Sequence, residues 1–447
     1  MFSGESGRLG RRALLGASGV VAGAAVLAGC GSSGGGSGSG GTTLNLWAAW
    51  KVEQGPGDMI AAFEKLHPDV TVNYVQFSND AAGYQKLTTA LQGGVNIDVF
   101  FSYGSSTMSQ YKSAGLAMDL TDKVNGVDQL KPLLGTDPQL IPLYDGHVYG
   151  VPTAYNPYMV YLNQDMFAKA GVAIPDTWTI DEFHQTCLTM VKNGSAKAGT
   201  YKSLSTAVMT LGGNANYTAD GKASNFQDPA WVQQYDLMLA MENDGSLMSE
   251  KQILAQKLST LGQSLFLTGQ HPLYLDNIAT TRVIQNVKDY PHDFKTVVRA
   301  LPTIPGVSDP WNYGGISDFL QIASNTKSPD MAWEFVKFWA GDGAQYMLRA
   351  GKVPPLGIPT TQAEIDAMVP GLLGADRDKL FDVDSFTKVA FDTKVKCALA
   401  TITTAQAEIS TIVSGLTQEM LLGKRNVADT LAEMKKQSDE AITKDSK

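Results

Sequence analysis

The chain has 447 residues, 43% of them hydrophobic and 18% charged, with a formal net charge of −9 at pH 7. That apolar content suits two ordinary domains better than one, and an acidic surface repels phosphate, which argues against nucleic acid as a partner. Three cysteines (Cys30, Cys187 and Cys397) and five scattered histidines make no CxxC pair and no HExxH spacing, so neither a metal site nor another cofactor is expected.

The first segment is an address. Arg8, Arg11 and Arg12 precede an uncharged run over 13–29 that is rich in Ala, Gly, Val and Leu. The run is too short and too glycine-rich to span a bilayer core about 30 Å thick, and residues 1–29 read as a signal peptide. Leu27-Ala28-Gly29-Cys30 matches a bacterial lipobox. In such motifs the signal is cut before the cysteine and its thiol is acylated, and two or three acyl chains suffice for a stable anchor. Cys30 is therefore the expected lipidation site, holding the protein to the outer face of the cell membrane. The Arg11-Arg12 pair resembles a twin-arginine signal, but Sec signals also carry such pairs, so both export routes stay open. Residues 31–41 (GSSGGGSGSGG) cannot bury anything. With Cys30 they form a flexible tether over 30–41, with a reach of roughly 18 Å.

From Thr42 the pattern changes. Leu44-Asn45-Leu46-Trp47 alternates as a strand, 58–67 has helical spacing, and 70–75 alternates again. A helix over 81–92 follows, then Ile97-Asp98-Val99-Phe100-Phe101, a nearly continuous apolar run of the kind found in buried parallel strands. Alternating strand and helix define an α/β lobe with a mostly parallel sheet. Such sheets bind ligands beyond the carboxyl ends of their strands, here 49–53 and 102–105. Residues 146–163 are rich in Tyr, Pro and Asn. Helical patterns then dominate at 164–170, 179–193, 230–244, 251–266, 329–350 and most of 396–446. Strand-like pieces interrupt them at 273–275, 297–298 and 319–322. No second low-complexity linker occurs, so the chain is expected to cross between its lobes more than once.

The landmarks resemble, in order, the extracellular solute-binding proteins of the maltose/maltodextrin-binding type. Asp145-Gly146-His147-Val148-Tyr149-Gly150-Val151-Pro152 is similar to that family's first crossing segment. Tyr161 to Gly171, followed by Pro175-Asp176-Thr177-Trp178, matches its most specific run. Phe266-Leu267-Thr268-Gly269-Gln270, Leu301 to Gly306, Gly314-Gly315 and Ala332 to Phe338 complete the pattern. The resemblance implies an α/β, two-lobe periplasmic-binding-protein-like fold with three crossover segments and a ligand cleft between the lobes. By similarity the N-terminal lobe covers 42–152 plus 317–354, and the C-terminal lobe 157–313 plus 358–447. Lys352-Val353-Pro354-Pro355 would make the third crossing. The implied function is that of a monomeric, non-catalytic lipoprotein of an ABC importer, which traps a sugar by lobe closure and delivers it to the transmembrane subunits of an ABC permease.

A sugar offers apolar ring faces and a belt of hydroxyls, so its site needs aromatic planes, hydrogen-bonding side chains and walls that exclude water. The candidates are Trp50, Lys51 and Glu53 after the first strand, Ser102 and Tyr103 after the third, and Tyr155 and Asn156 past the first crossing. Asp276 and Asn277 follow at the end of an inner strand, then Trp311 and Tyr313 beside the second crossing. Similarity places them on one cleft. Trp47, Trp178, Trp333 and Tyr161 read as packing residues. Lys51 and Glu53 also read as a solvated surface pair, and Asp276 as a helix cap or turn residue. Many sugar-binding relatives carry Trp three residues beyond the position of Asp276. Here it is Ala279, so maltodextrin loses a stacking plane that Trp311 or Tyr313 would have to supply. Cys187 shares an apolar helical face with Ile180, Phe183, Met190 and Val191. Outside the membrane it could pair with Cys397, or both could be separate buried thiols.

Other readings keep the fold but change the cargo to a polyamine, an iron complex or a phosphate ester. Lys51 is the only cation among the candidates, which favours a neutral ligand. A secreted glycoside hydrolase would need two carboxylates about 5–10 Å apart. Glu53 and Asp276 are the pair available, and no hydrolase signature accompanies them.

Overall fold

The structure, a computed structural model, describes residues 41–445 except 136–140, 202–204, 259–261, 308–310, 313, 393–395 and 398–399. The expected signal peptide, the lipidation site Cys30, the tether up to residue 40, and Tyr313 lie outside the described residues.

In chain order the strands are β1 (Thr42–Ala48), β2 (Val70–Gln76), β3 (Val99–Tyr103), β4 (Val151–Pro152), β5 (Tyr155–Asn156), β6 (Tyr158–Asn163), β7 (Leu273–Asn277), β8 (Thr296–Arg299), β9 (Trp311–Asn312), β10 (Gly315–Ile316), β11 (Asp318–Ile322) and β12 (Lys396–Cys397). One five-stranded sheet has the order β2-β1-β3-β11-β4, with β1 parallel to β2 and β3, and β11 antiparallel to β3 and β4. A three-stranded sheet, β7-β6-β8, is antiparallel throughout.

Local chemistry explains the helices around the first sheet. Pro56 opens the helix Pro56–Leu66, where its missing N–H is not needed, and Met59, Ile60 and Phe63 fall on the buried face. Asp80 caps the helix Ala81–Gln92 by accepting from the Gly83 amide at 2.9 Å. Beneath this sheet Trp50, Phe63, Phe101, Phe335 and Trp339 form one apolar core.

The second sheet shows the two-residue period of a strand covered on both faces. Met159 and Tyr161 of β6 join one core with Phe266, Tyr274 and Phe381. Val160 and Leu162 join another with Trp178, Phe183 and Cys187. A further cluster seats the C-terminal helices Gln406–Leu421 and Val427–Asp445 on the helix Pro229–Asn243 through Trp231, Tyr235, Ile409, Leu416 and Met434. Trp47, Trp178, Trp333 and Tyr161 are all buried, as packing residues should be.

Three helical expectations are revised. The segment 251–266 is split into Glu250–Ala255 and Gln263–Leu267, with Lys257 at a left-handed φ of 54° between them. The segment 329–350 is α-helical only over Pro329–Ala340. At Gly341 the backbone leaves helical geometry, and Asp342–Ala350 continues as a 3-10 helix. The last helical region starts at Gln406, because Lys396–Cys397 is a short strand beside β9. The disulfide is excluded, since Cys187 is a free and fully buried thiol. Burial pushes that thiol well above its ordinary pKa.

The chain passes between the two sheets three times, and the passages lie side by side. β5 pairs antiparallel with β10, matching Asn156 to Gly315 and Tyr155 to Ile316. The Tyr155 amide donates to the Val353 carbonyl at 2.7 Å. A Cβ on Gly314 would collide with the Asn156 carbonyl, so glycine lets these backbones approach.

Candidate ligand cleft

A cleft of about 730 Å³ opens where the two sheets meet. One wall is the carboxyl end of the first sheet, Ala49 to Lys51 after β1 and Tyr103 to Ser105 from β3 onward. The opposite wall is Tyr274, Asp276 and Asn277 of β7 together with Arg282, Asn286 and Tyr290 beyond it. The floor is made by the crossing segments, through Asn156, Ser317, Asp318 and Lys352. Two depressions on the C-terminal helices, of about 430 and 590 Å³, are lined by no aromatic residue.

Six of the expected residues come together on this cleft: Trp50, Lys51, Tyr103, Asn156, Asp276 and Asn277. The Trp50 indole is only 4% exposed. It meets Phe101 edge-on at 4.7 Å and Tyr103 at 5.1 Å, so most of the ring is spent on the core. Two hydrogen bonds fix the end of β1. The Ala49 amide donates to the Tyr103 hydroxyl at 2.7 Å, and the Tyr74 hydroxyl donates to the Trp50 carbonyl at 2.6 Å. Burial raises the pKa of the Tyr103 phenol well above its ordinary value, so it stays protonated.

On the other wall, Asp276 accepts from the Tyr274 hydroxyl at 2.7 Å and from the Asn277 amide at 2.8 Å. Burial raises the pKa of Tyr274, and the neighbouring carboxylate adds to that shift. The cap expected of Asp276 is made by Asn277, whose side chain accepts from the Ala279 amide at 3.0 Å.

Four expected residues are elsewhere. Glu53 is exposed on the one-turn helix Val52–Gln54, and it is Gln54 that reaches the cleft. The carboxylate pair Glu53–Asp276 is thus not assembled across the cleft. Ser102 faces away from Tyr103 by strand alternation and is fully buried, hydrogen-bonded to Gln321 of β11. Tyr155 turns into the core of the second sheet. Trp311 is half-buried outside the cleft lining, with the Lys396 ammonium 5.9 Å from its ring. Its neighbour Asn312 instead bridges the Tyr158 amide at 2.9 Å and carbonyl at 2.8 Å. Tyr313 is outside the described residues, so neither aromatic expected to replace the missing stacking plane is placed on the cleft.

The sequence reading missed Lys352, Asp318, Arg282, Tyr158, Tyr274 and Tyr290, all of which line the cleft. Lys352 and Asp318 form a buried ion pair at 2.7 Å. Burial lowers the lysine pKa, and Asp318 partly offsets the effect. The only available signal was the position of Lys352 beside the third crossing. Lys51 is therefore not the sole cation: Lys51, Arg282 and Lys352 are matched by Asp276, Asp289 and Asp318. Gln54, Gln76, Asn79, Gln263 and Asn286 add amides that both donate and accept.

A charge-balanced, hydrogen-bonding cleft between two sheet-based lobes, joined by three adjacent crossings, defines a two-lobed solute-binding protein. The chain belongs to the bacterial extracellular solute-binding protein family, whose model matches residues 50–346. Members of this family act outside the cytoplasm, and no described helix is long and apolar enough to cross a membrane.

Among solved structures, an ABC substrate-binding protein of Listeria monocytogenes in complex with cycloalternan superposes with a TM-score of 0.70 at 19% identity, covering 90% of this chain and 98% of its own. The GacH receptor of Streptomyces glaucescens, solved unliganded and with acarbose, gives 0.66 at 17% identity, covering 90% and 99%. These chains share the fold. A candidate binding protein of Brucella abortus (strain 2308) is 25% identical over 396 residues, covering 84% of this chain and 87% of its own.

Proposed function

We propose that this protein is the substrate-binding lipoprotein of an ABC importer and that its cargo is a carbohydrate, either a mono- or an oligosaccharide. The observation that carries this reading is the lining of the cleft. Its charges cancel, and its amides, carboxylates and tyrosines suit a neutral solute covered with hydroxyls. The volume, about 730 Å³, lies in the usual range for small-molecule sites. Chains of the same fold have been solved with raffinose, D-mannitol, cycloalternan or acarbose bound.

In this reading the lobes are 42–152 plus 317–354 and 157–313 plus 358–447. They swing about the three crossings, closure traps the sugar and expels water, and the closed form delivers it to the permease. Trp50, Lys51, Tyr103, Asn156, Asp276 and Asn277 contact the ligand, while acylated Cys30 and the tether hold the body near the membrane. The test is a thermal-shift screen of the purified protein against raffinose, acarbose, D-mannitol and other neutral sugars. A true ligand at a hundred times its Kd stabilises the protein by about 2.7 kcal/mol. A melting temperature raised by a polyamine or a phosphate ester, and by no sugar, overturns the reading.

A further inference from the structure

The floor of the cleft contains a chain of polar contacts that draws on all three crossings. Asn156 lies on the first, Ser317 and Asp318 on the second, and Lys352 on the third. Asn156 Nδ2 donates to Ser317 Oγ at 2.6 Å, Ser317 Oγ donates to Asp318 Oδ1 at 2.8 Å, and Asp318 Oδ2 lies 2.7 Å from Lys352 Nζ. The chemistry fixes these directions. A carboxylate only accepts, so the single Ser317 proton goes to Asp318, and Ser317 must then accept from the amide nitrogen of Asn156. The amide oxygen of Asn156 is thereby left over. It is buried, on a residue 1% exposed, and has no partner among the described residues.

Lys352 is the complementary half. It is 7% exposed, and its ammonium lies 5.7 Å from the centre of the Trp50 ring. Asp318 Oδ2 engages the ammonium on one side at 2.7 Å, and an ammonium carries three N–H donors, so protons remain for a second acceptor. The floor thus offers a buried acceptor and a buried donor on separate crossings. The Asn156 oxygen stays unfavourable until it is met, because a buried polar atom without a partner has lost its water and gained nothing in return.

Resting on the carbohydrate reading, we propose that Asn156 Oδ1 and Lys352 Nζ together hold one hydroxyl of the bound solute, and that this hydroxyl couples occupancy of the cleft to the angle between the lobes. A hydroxyl is the group that fits, since it donates to the amide oxygen and accepts from the ammonium at once. A phosphate or carboxylate would accept from Lys352 but set its own charge against the amide oxygen. An ammonium of a polyamine would serve Asn156 and be repelled by Lys352. The floor therefore selects neutral polyols over both charged alternatives. Because the two groups ride on the first and third crossings, a shared hydroxyl ties those strands at one hinge angle.

The experiment begins with raffinose, acarbose and D-mannitol on the native protein and continues with the monodeoxy analogues of whichever binds. One monodeoxy analogue should bind the native chain about 10- to 100-fold more weakly than its parent. Lys352→Met and Asn156→Ala should each weaken the parent sugar by a similar factor and bind the parent and that analogue equally. Lys352→Met/Asp318→Asn removes both charges of the pair, so it gives the same reading if the single variant does not fold. Folding is checked by matched circular dichroism. Folded variants that keep the native preference for that hydroxyl overturn the proposal alone. Failure of every sugar to bind the native protein overturns the carbohydrate reading and this proposal with it.

Discussion

The two walls of the cleft are built differently. On the first, Trp50 and Tyr103 reach the ligand space only with what is left after packing on Phe101 and Trp339. On the second, Asp276 and Asn277 are held by short local hydrogen bonds at the end of a strand and are only partly buried. Strength of fold and strength of binding are therefore merged on the first wall and separable on the second.

The largest expected effect breaks that comparison most directly. Trp50→Ala should lower the free energy of unfolding by about 3–5 kcal/mol, as for other buried aromatic truncations. Denaturant titration reads this, and an unchanged midpoint would place the indole in the cleft rather than in the core.

The core behind the second wall makes a comparable demand on pH. His271, just before β7, is 3% exposed, and burial, with Lys197 nearby, lowers its pKa from 6.5 to about 4. Between those values the unfolded chain binds a proton that the folded chain refuses. Stability should then fall as pH drops from 6.5 toward 4, by roughly 3 kcal/mol from this group. His271→Gln should flatten the dependence of melting temperature on pH in that window, and an equal slope in both proteins would contradict the assignment.

Asp276→Asn sharpens the separation of roles. It keeps an acceptor for Tyr274 while removing the charge, so sugar affinity should fall about tenfold with little change in melting temperature. Calorimetric titration and a melting curve on one sample distinguish the two quantities. Least of all should Lys51→Ala disturb the fold. This exposed side chain makes no ion pair among the described residues, and the stability change should stay within about 0.5 kcal/mol. A larger loss would mean that the first wall depends on its rim as well as on its core.

Much of the fold was legible along the chain. Leu44 and Leu46, Val70 and Val72, and the run through Phe100-Phe101 announce three strands of one sheet, and the ordered landmarks from Asp145 to Phe338 point to the family that the comparison establishes. The site was legible only in part. Ser102 and Tyr103 are adjacent in sequence, yet a strand sends neighbouring side chains to opposite faces, so only Tyr103 lines the cleft. Tyr155 and Asn156 divide in the same way between core and floor. Lys352 and Asp318 carry no local signal of pairing, because they lie 34 positions apart in the chain and the adjacent crossings bring them together.

The sequence by itself determined the alternation of strands and helices, the acidic and cysteine-poor character of the chain, and the landmarks that carry the family resemblance. Each of these is a periodicity, a composition or a motif that short stretches of chain carry. Tertiary structure alone decided which face of each strand meets the ligand, that the Trp50 ring is absorbed into a core, and that a buried ion pair sits in the cleft floor. Those outcomes depend on contacts between residues distant along the chain, and no local pattern encodes such contacts.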